Sequence, residues 1–259
     1  MDAYEPPRFP CRLPPDTRGV ASGCRYEPTL IAGRDNNKGT GWGRRSPKTG
    51  RPIQCLSTGE RRLAYLLDVC PDVIDYREQY PWVSDELLAY LAKNPYAEIP
   101  RNKLRTLDFV VTLPALNNTL RYTVISYKTY KDSLRPDVQR RLQSEKYDCE
   151  QYGWNWILCT ENNLNPESVR SAIRLVRWAT CIDIDNAHDM AFKMARLVER
   201  ENRSQSLDEL LVGVGSHLGI KLDSAYGLFA TAVCLGFLAL KLDSPLDTWR
   251  PITINPARR

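Results

Sequence analysis

LDFVVTLPALNNTLRYTVISYKTY, residues 107–130, is the stretch from which the fold is read. Two runs rich in β-branched and aromatic residues flank a turn containing Pro114 and two asparagines, which is a hairpin signature. Residues two apart on a strand share a face. Lys128 therefore lies on the face of Ser126, Val124 and Tyr122. A lysine there costs free energy unless something uses its charge. With the hairpin closed at PALNN, Asp108 at the open end of the first run stands opposite the region near Lys128. Spacing alone makes a carboxylate and an ammonium neighbours. A cross-strand ion pair, worth roughly a few tenths of a kcal/mol, accounts for that much without any chemistry.

Upstream of the hairpin, Ser57 opens a helix, STGERRLAYLLDVC, with Leu63, Leu66 and Leu67 at helical spacing. DVIDYREQYPWV reads as a short strand and loop, and ELLAYLAKN as a short helix. Downstream, RPDVQRRLQSEKYDCEQYG is a helix with Pro136 in its first turn and Gly153 after its end. WNWILCT is a buried strand, and NPESVRSAIRLVRWA a further helix opened by Asn165. Helix, strand, hairpin, helix, strand, helix makes an α/β mixed-sheet core, with a crossover through the helix at 136–152. Beyond residue 180 the pattern turns helical. SLDELLVGVGSHLG carries a capping box, Ser206 with Glu209. SAYGLFATAVCLGFLALKL and a short TWRPITI strand complete a small winged-helix-like domain over 180–259. Residues 1–45 read as an irregular arm rich in Pro, Gly and Arg, leaving 46–179 for the core domain.

The 259 residues are 42 % hydrophobic, so the chain is globular. No apolar run approaches the roughly 20 residues that span a bilayer, and MDAYEPPRFP has neither a basic nor an apolar leader region. A cytoplasmic location is expected. The eight cysteines form no C-x-x-C pair and only His188 and His217 accompany them, which argues against zinc and for buried reduced thiols. The net charge of +5 is uneven. Between Ile31 and Arg62, eight cations face only Asp35 and Glu60. Lys38, Arg44, Arg45, Lys48 and Arg51, interleaved with glycine and Trp42, suit a phosphate backbone. An ordinary solvated loop fits the charge equally well.

Glu60 adds a second carboxylate at the head of the helix before the sheet, although Ser57-x-x-Glu60 is also a capping box. Two acidic side chains and a strand carbonyl form an oxygen donor set for Mg²⁺, with Mn²⁺ as a substitute. A nearby lysine can orient a water or offset charge on a phosphate. Glu60, then Asp108, then Ser126-x-Lys128 is the layout of PD-(D/E)xK-type nucleases, although a short D…xxK pattern recurs by chance.

Five phrases in order make the resemblance more specific. They are SPKTGRPIQCLSTGERRLAYLL, DVIDYREQYP, LDFVV, ISYK and LQSEKYDCEQYGWNWILCTENNLNP. In these the chain resembles the TnsA family, endonuclease subunits of heteromeric cut-and-paste transposases. The resemblance runs from about Ser46 to Trp178. It implies a restriction-endonuclease-like core with Glu60, Asp108 and Lys128 as catalytic residues. Glu60, Asp108, the Tyr127 carbonyl and Glu145 would serve the metal. Gln79 matches by position. It further implies cleavage of the 5′ ends of a transposon in double-stranded DNA, together with a DDE transposase and an AAA+ ATPase regulator that meets the C-terminal domain. Ser126 departs from the Glu or Gln often found two residues before the lysine, which puts the ligand count in question. A stand-alone repair or restriction nuclease of the same fold, or a non-catalytic DNA-binding scaffold, are the alternatives.

Overall fold

The computed structural model describes residues 13–32, 42–94, 105–116, 119–202 and 204–255. Its centre is a four-stranded sheet in the order β3-β4-β5-β6, formed by Asp75–Pro81, Thr106–Pro114, Leu120–Tyr127 and Asn155–Cys159. The β4–β5 hairpin is antiparallel with Phe109 opposite Ile125, and β5–β6 is parallel with Ser126 opposite Leu158. The sheet is therefore mixed, as the pattern requires of a hairpin followed by a helical crossover. That crossover is a short α3 (Tyr130–Ser133) and the long α4 (Pro136–Gln151). Pro136 occupies the first turn of α4, where the missing N–H costs nothing.

Each face of the sheet has its own apolar core. One holds Tyr76, Phe109 and Val111 against Leu63, Ala64 and Leu67 of α1 (Thr58–Val69). The other holds Tyr80, Leu107, Val110, Tyr122 and Val124 against Cys149 of α4 and Trp154. Trp154 is the hub of the second core, with ring centroids 5.2 Å from Tyr122 and 5.7 Å from Tyr80. A third core joins α5 (Pro166–Ala179), α6 (Ile184–Glu201), α7 (Leu207–Leu218) and α8 (Leu222–Cys234) to Tyr65 and Val69 of α1. The capping box at Ser206 and Glu209 forms as read, and Gly219 ends α7 at φ 67°. Helix α6 escaped the reading, although Ala187, Ala191, Met194 and Val198 form its buried stripe. After α8 the chain is irregular, tied by one antiparallel bridge between Leu240 and Ile254. A two-stranded wing is thus absent among the described residues. Short helix α2 (Asp85–Lys93) lies between β3 and β4.

The expected arm is the main correction. Residues 42–55 form a hairpin, β1 (Trp42–Arg45) and β2 (Pro52–Cys55), with Trp42 opposite Cys55. Residues 13–32 are equally well integrated. Asp16 is buried and accepts hydrogen bonds from Arg77 and, at 2.7 Å, from the Tyr80 hydroxyl. The Arg18 guanidinium lies 4.2 Å above the Trp82 ring. The cysteines are also corrected. Among the described residues six are free, but Cys70 is half-buried and Cys181 exposed, while Cys24 is disulfide-bonded. No described helix is long and apolar enough to cross a membrane.

Candidate active site

Strand β4 carries Asp108, and β5 ends at Tyr127 with Lys128 the next residue, so the hairpin register, with Phe109 opposite Ile125, brings all three to the same end of the sheet. Asp108 Oδ2 accepts from the Tyr127 backbone N–H at 2.7 Å and from Lys128 Nζ at 2.8 Å. Lys128 Nζ also donates to the Tyr127 carbonyl at 2.8 Å. The ammonium thus bridges a carboxylate and a peptide oxygen. Burial works against its charge, but Asp108, and further off Glu145 and Glu60, outweigh that and hold its pKa above the ordinary lysine value.

Glu60 reaches this end of the sheet from the first turn of α1. Ser57 caps the helix, its Oγ accepting from the Glu60 N–H at 3.2 Å. The reciprocal half of the box does not close on Ser57. Glu60 Oε2 instead accepts from the Leu56 N–H at 2.9 Å and from Gln79 Nε2 at 3.2 Å, and Oε1 accepts from Ser57 Oγ at 2.9 Å. Burial, and then the facing charge of Asp108, push its carboxyl up to about 7, partly offset by the Leu56 and Ser57 bonds and by Lys128. A capping role alone leaves a glutamate in solvent; this one is 7 % exposed. Gly59 makes the approach possible. A Cβ there would overlap the Tyr127 ring, which lies directly on the first turn of α1.

Ser126 and Glu145 form a separate group on the α4 side. The Ser126 hydroxyl donates to Glu145, whose Oε1 also accepts from Trp156 Nε1 at 2.9 Å. Arg105 lies 3.9 Å from the other oxygen. Among the described residues no three His, Cys, Asp or Glu side chains stand together as a metal cluster. Glu145 is therefore not gathered with Glu60 and Asp108 into a three-carboxylate site. What remains is Glu60, Asp108 and the Tyr127 carbonyl, an all-oxygen set suited to a hard cation. Asp108 Oδ1 accepts no hydrogen bond among the described residues and is open for such a role. The set fits Mg²⁺ by donor chemistry.

The expected phosphate-binding cations go elsewhere. Arg44 pairs with buried Asp68 and stacks 4.2 Å over Tyr65. Lys48 is buried, its Nζ donating to the Val73 carbonyl at 2.7 Å and the Cys70 carbonyl at 3.0 Å. Arg51 makes a two-pronged pair with Glu78, at 2.8 and 2.7 Å. These three hold the β1–β2 hairpin to α1 and β3, so the structure contradicts them as DNA contacts. Arg45 is exposed, and Lys38 lies outside the described residues.

Residues 70–161 match the family model described as the TnsA-like endonuclease N-terminal domain. The chain carries a TnsA-like endonuclease domain. A domain of this kind points to a transposon-associated nuclease acting on DNA. The matched segment spans Gln79, Asp108, Tyr127, Lys128 and Glu145, whereas Glu60 lies upstream of it. Glu60 is linked to the matched segment by the Gln79 amide, which donates to it at 3.2 Å, and the charge of Asp108 helps to raise its pKa. No curated protein matches the chain.

Proposed function

We propose that the chain is a Mg²⁺-dependent DNA endonuclease that cleaves the 5′ ends of a transposon during cut-and-paste transposition. The observation that carries this reading is the junction of Asp108, the Tyr127 carbonyl and Lys128, with Glu60 buried beside them, at one end of a TnsA-like sheet. Glu60, Asp108 and the Tyr127 carbonyl would hold the cation, which would supply Lewis acidity at the scissile phosphate. Asp108 fixes Lys128 and takes the Tyr127 N–H, so the β5 terminus cannot swing away. Lys128, kept charged by its acidic neighbours, is placed to offset charge on a phosphate or to orient the attacking water. Glu60 itself is buried on the α1 side.

A DDE transposase and an AAA+ regulator are the proposed partners, the latter meeting the mainly helical residues 180–259. The proposed setting is bacterial and cytoplasmic. Cleavage of transposon-end DNA in the reconstituted complex tests the reading. The wild-type chain should cut the 5′ ends with Mg²⁺, and Asp108→Ala and Lys128→Ala should not, with unfolding midpoints showing that the variants fold. Undiminished cutting by folded Asp108→Ala sinks the assignment, and cutting by the lone wild-type chain favours a stand-alone nuclease.

A further inference from the structure

The geometry points to Gln79 as a positioning residue that fixes the Glu60 carboxylate opposite Asp108. The inference rests on the reading of Glu60 and Asp108 as metal-binding groups. The β3–β4 register pairs Glu78 with Phe109 and Tyr80 with Leu107, so Gln79 stands across the ladder from Asp108. It is the sole non-glycine residue with positive φ among those described, at φ 48°. Glutamine has no special tolerance for that conformation, so the surroundings must impose it. They do so from three sides. The Gln79 carbonyl accepts from the Thr29 N–H at 3.3 Å, Oε1 accepts from Thr106 Oγ1 at 3.4 Å, and Nε2 donates to Glu60 Oε2 at 3.2 Å.

The twist changes what the side chain can reach. In a regular strand residue 79 would share the face of Arg77, whose guanidinium lies against Tyr80 and Tyr122 on the α4 side. Instead the amide points to α1. The alternation slips on both strands at this pair. Tyr76 packs on the α1 side and Tyr80 on the α4 side, although they are four residues apart; Phe109 and Leu107, two apart, are likewise split. A single left-handed residue thus carries the amide to Glu60 at the point where Asp108 meets Lys128. Its burial at 2 % exposure leaves no solvent role for the side chain.

Gln79→Gly separates the two contributions, because glycine adopts φ 48° freely and only the amide is lost. Mn²⁺ titration calorimetry on the full chain compares wild type, Gln79→Gly, Gln79→Asn (too short to reach Glu60) and Asp108→Ala. Loss of an orienting partner behind a metal ligand typically weakens affinity by about 10- to 100-fold. The expected result is at least a tenfold weaker Kd in both Gln79 variants at unchanged unfolding midpoint. A Kd within twofold of wild type overturns the inference. Wild type binding no better than Asp108→Ala sinks the nuclease reading instead, and a metal-free arm then decides on Gln79. The Leu56 N–H donates to the same Glu60 oxygen, and its hydrogen exchange should quicken several-fold in Gln79→Gly. Unchanged exchange there also overturns the inference.

Discussion

Glu60 takes up its proton near pH 7 in the folded chain and near 4.5 as an ordinary glutamate, because burial and then Asp108 oppose its charge. Between those pH values the folded state binds the proton more tightly. The stability this lends is fully present below about pH 4.5 and is lost as pH rises through 7. Glu60→Gln removes the charge at nearly constant shape. It should stabilise the chain by on the order of 2 kcal/mol at pH 8.5, with the gain shrinking to nothing by pH 4. Urea unfolding in chelator at both pH values measures this, and a variant no more stable than wild type at pH 8.5 would contradict it. Such a gain, made by removing a proposed ligand, is the usual sign of a site built at the expense of stability. Asp108 and Lys128 were legible because strand alternation and a short turn fix who meets whom. Glu60 was legible only as an ambiguity, since a cap and a ligand share one spacing. Gln79 carried no signal beyond its place in the REQYP phrase, because a left-handed φ at glutamine leaves no mark in composition.

At the scale of elements, two devices bring α1 to the sheet. The first is Gly59. In most helix interiors Gly→Ala gains about 1 kcal/mol, but here a Cβ would overlap the Tyr127 ring. Gly59→Ala should therefore lower the unfolding midpoint and separate Glu60 from Asp108, and Tyr127→Leu in the same chain should restore the midpoint. An unaltered midpoint in Gly59→Ala would mean that the ring moves aside at no cost. The second device is the set of buried cations under the β1–β2 hairpin. Glu78 is fully buried, and Arg51 is its partner. Arg51→Met should cost about 3–5 kcal/mol, as is usual when one member of a buried pair is removed, and Arg51→Met with Glu78→Leu should recover much of it. Denaturant midpoints of the single and double variants test the claim, and a single variant as stable as wild type refutes it. These cations were misread in sequence for a physical reason. A run of arginine, lysine and glycine looks the same whether its partners are phosphates or carboxylates contributed from a separate helix and strand. Asp68 and Glu78 become partners only after folding.

At the scale of the whole molecule, the boundary near residue 180 runs through packed side chains. Ala172, Leu175, Val176 and Ala179 of α5 belong to the same core as Phe229 of α8 and Leu210 of α7. Tyr65 and Val69 join it from α1, the helix that carries Glu60 on its first turn. A protein that seats itself on α7 or α8 would thus press on a core only a few side chains from the site. A shared core also predicts how the chain unfolds. Elements that bury each other's apolar faces lose their stability together. Leu175→Ala, at a fully buried position, should cost about 2–5 kcal/mol. It should lower the melting of residues 46–179 and of residues 180–259 by the same amount. Near-ultraviolet circular dichroism and the fluorescence of Trp154 and Trp178 follow that melting. One transition, displaced as a whole by Leu175→Ala, would show that α5–α8 and the sheet form a single cooperative unit. Two transitions, with only the second displaced, would place a true domain boundary at residue 180 and make the C-terminal helices a separable docking module.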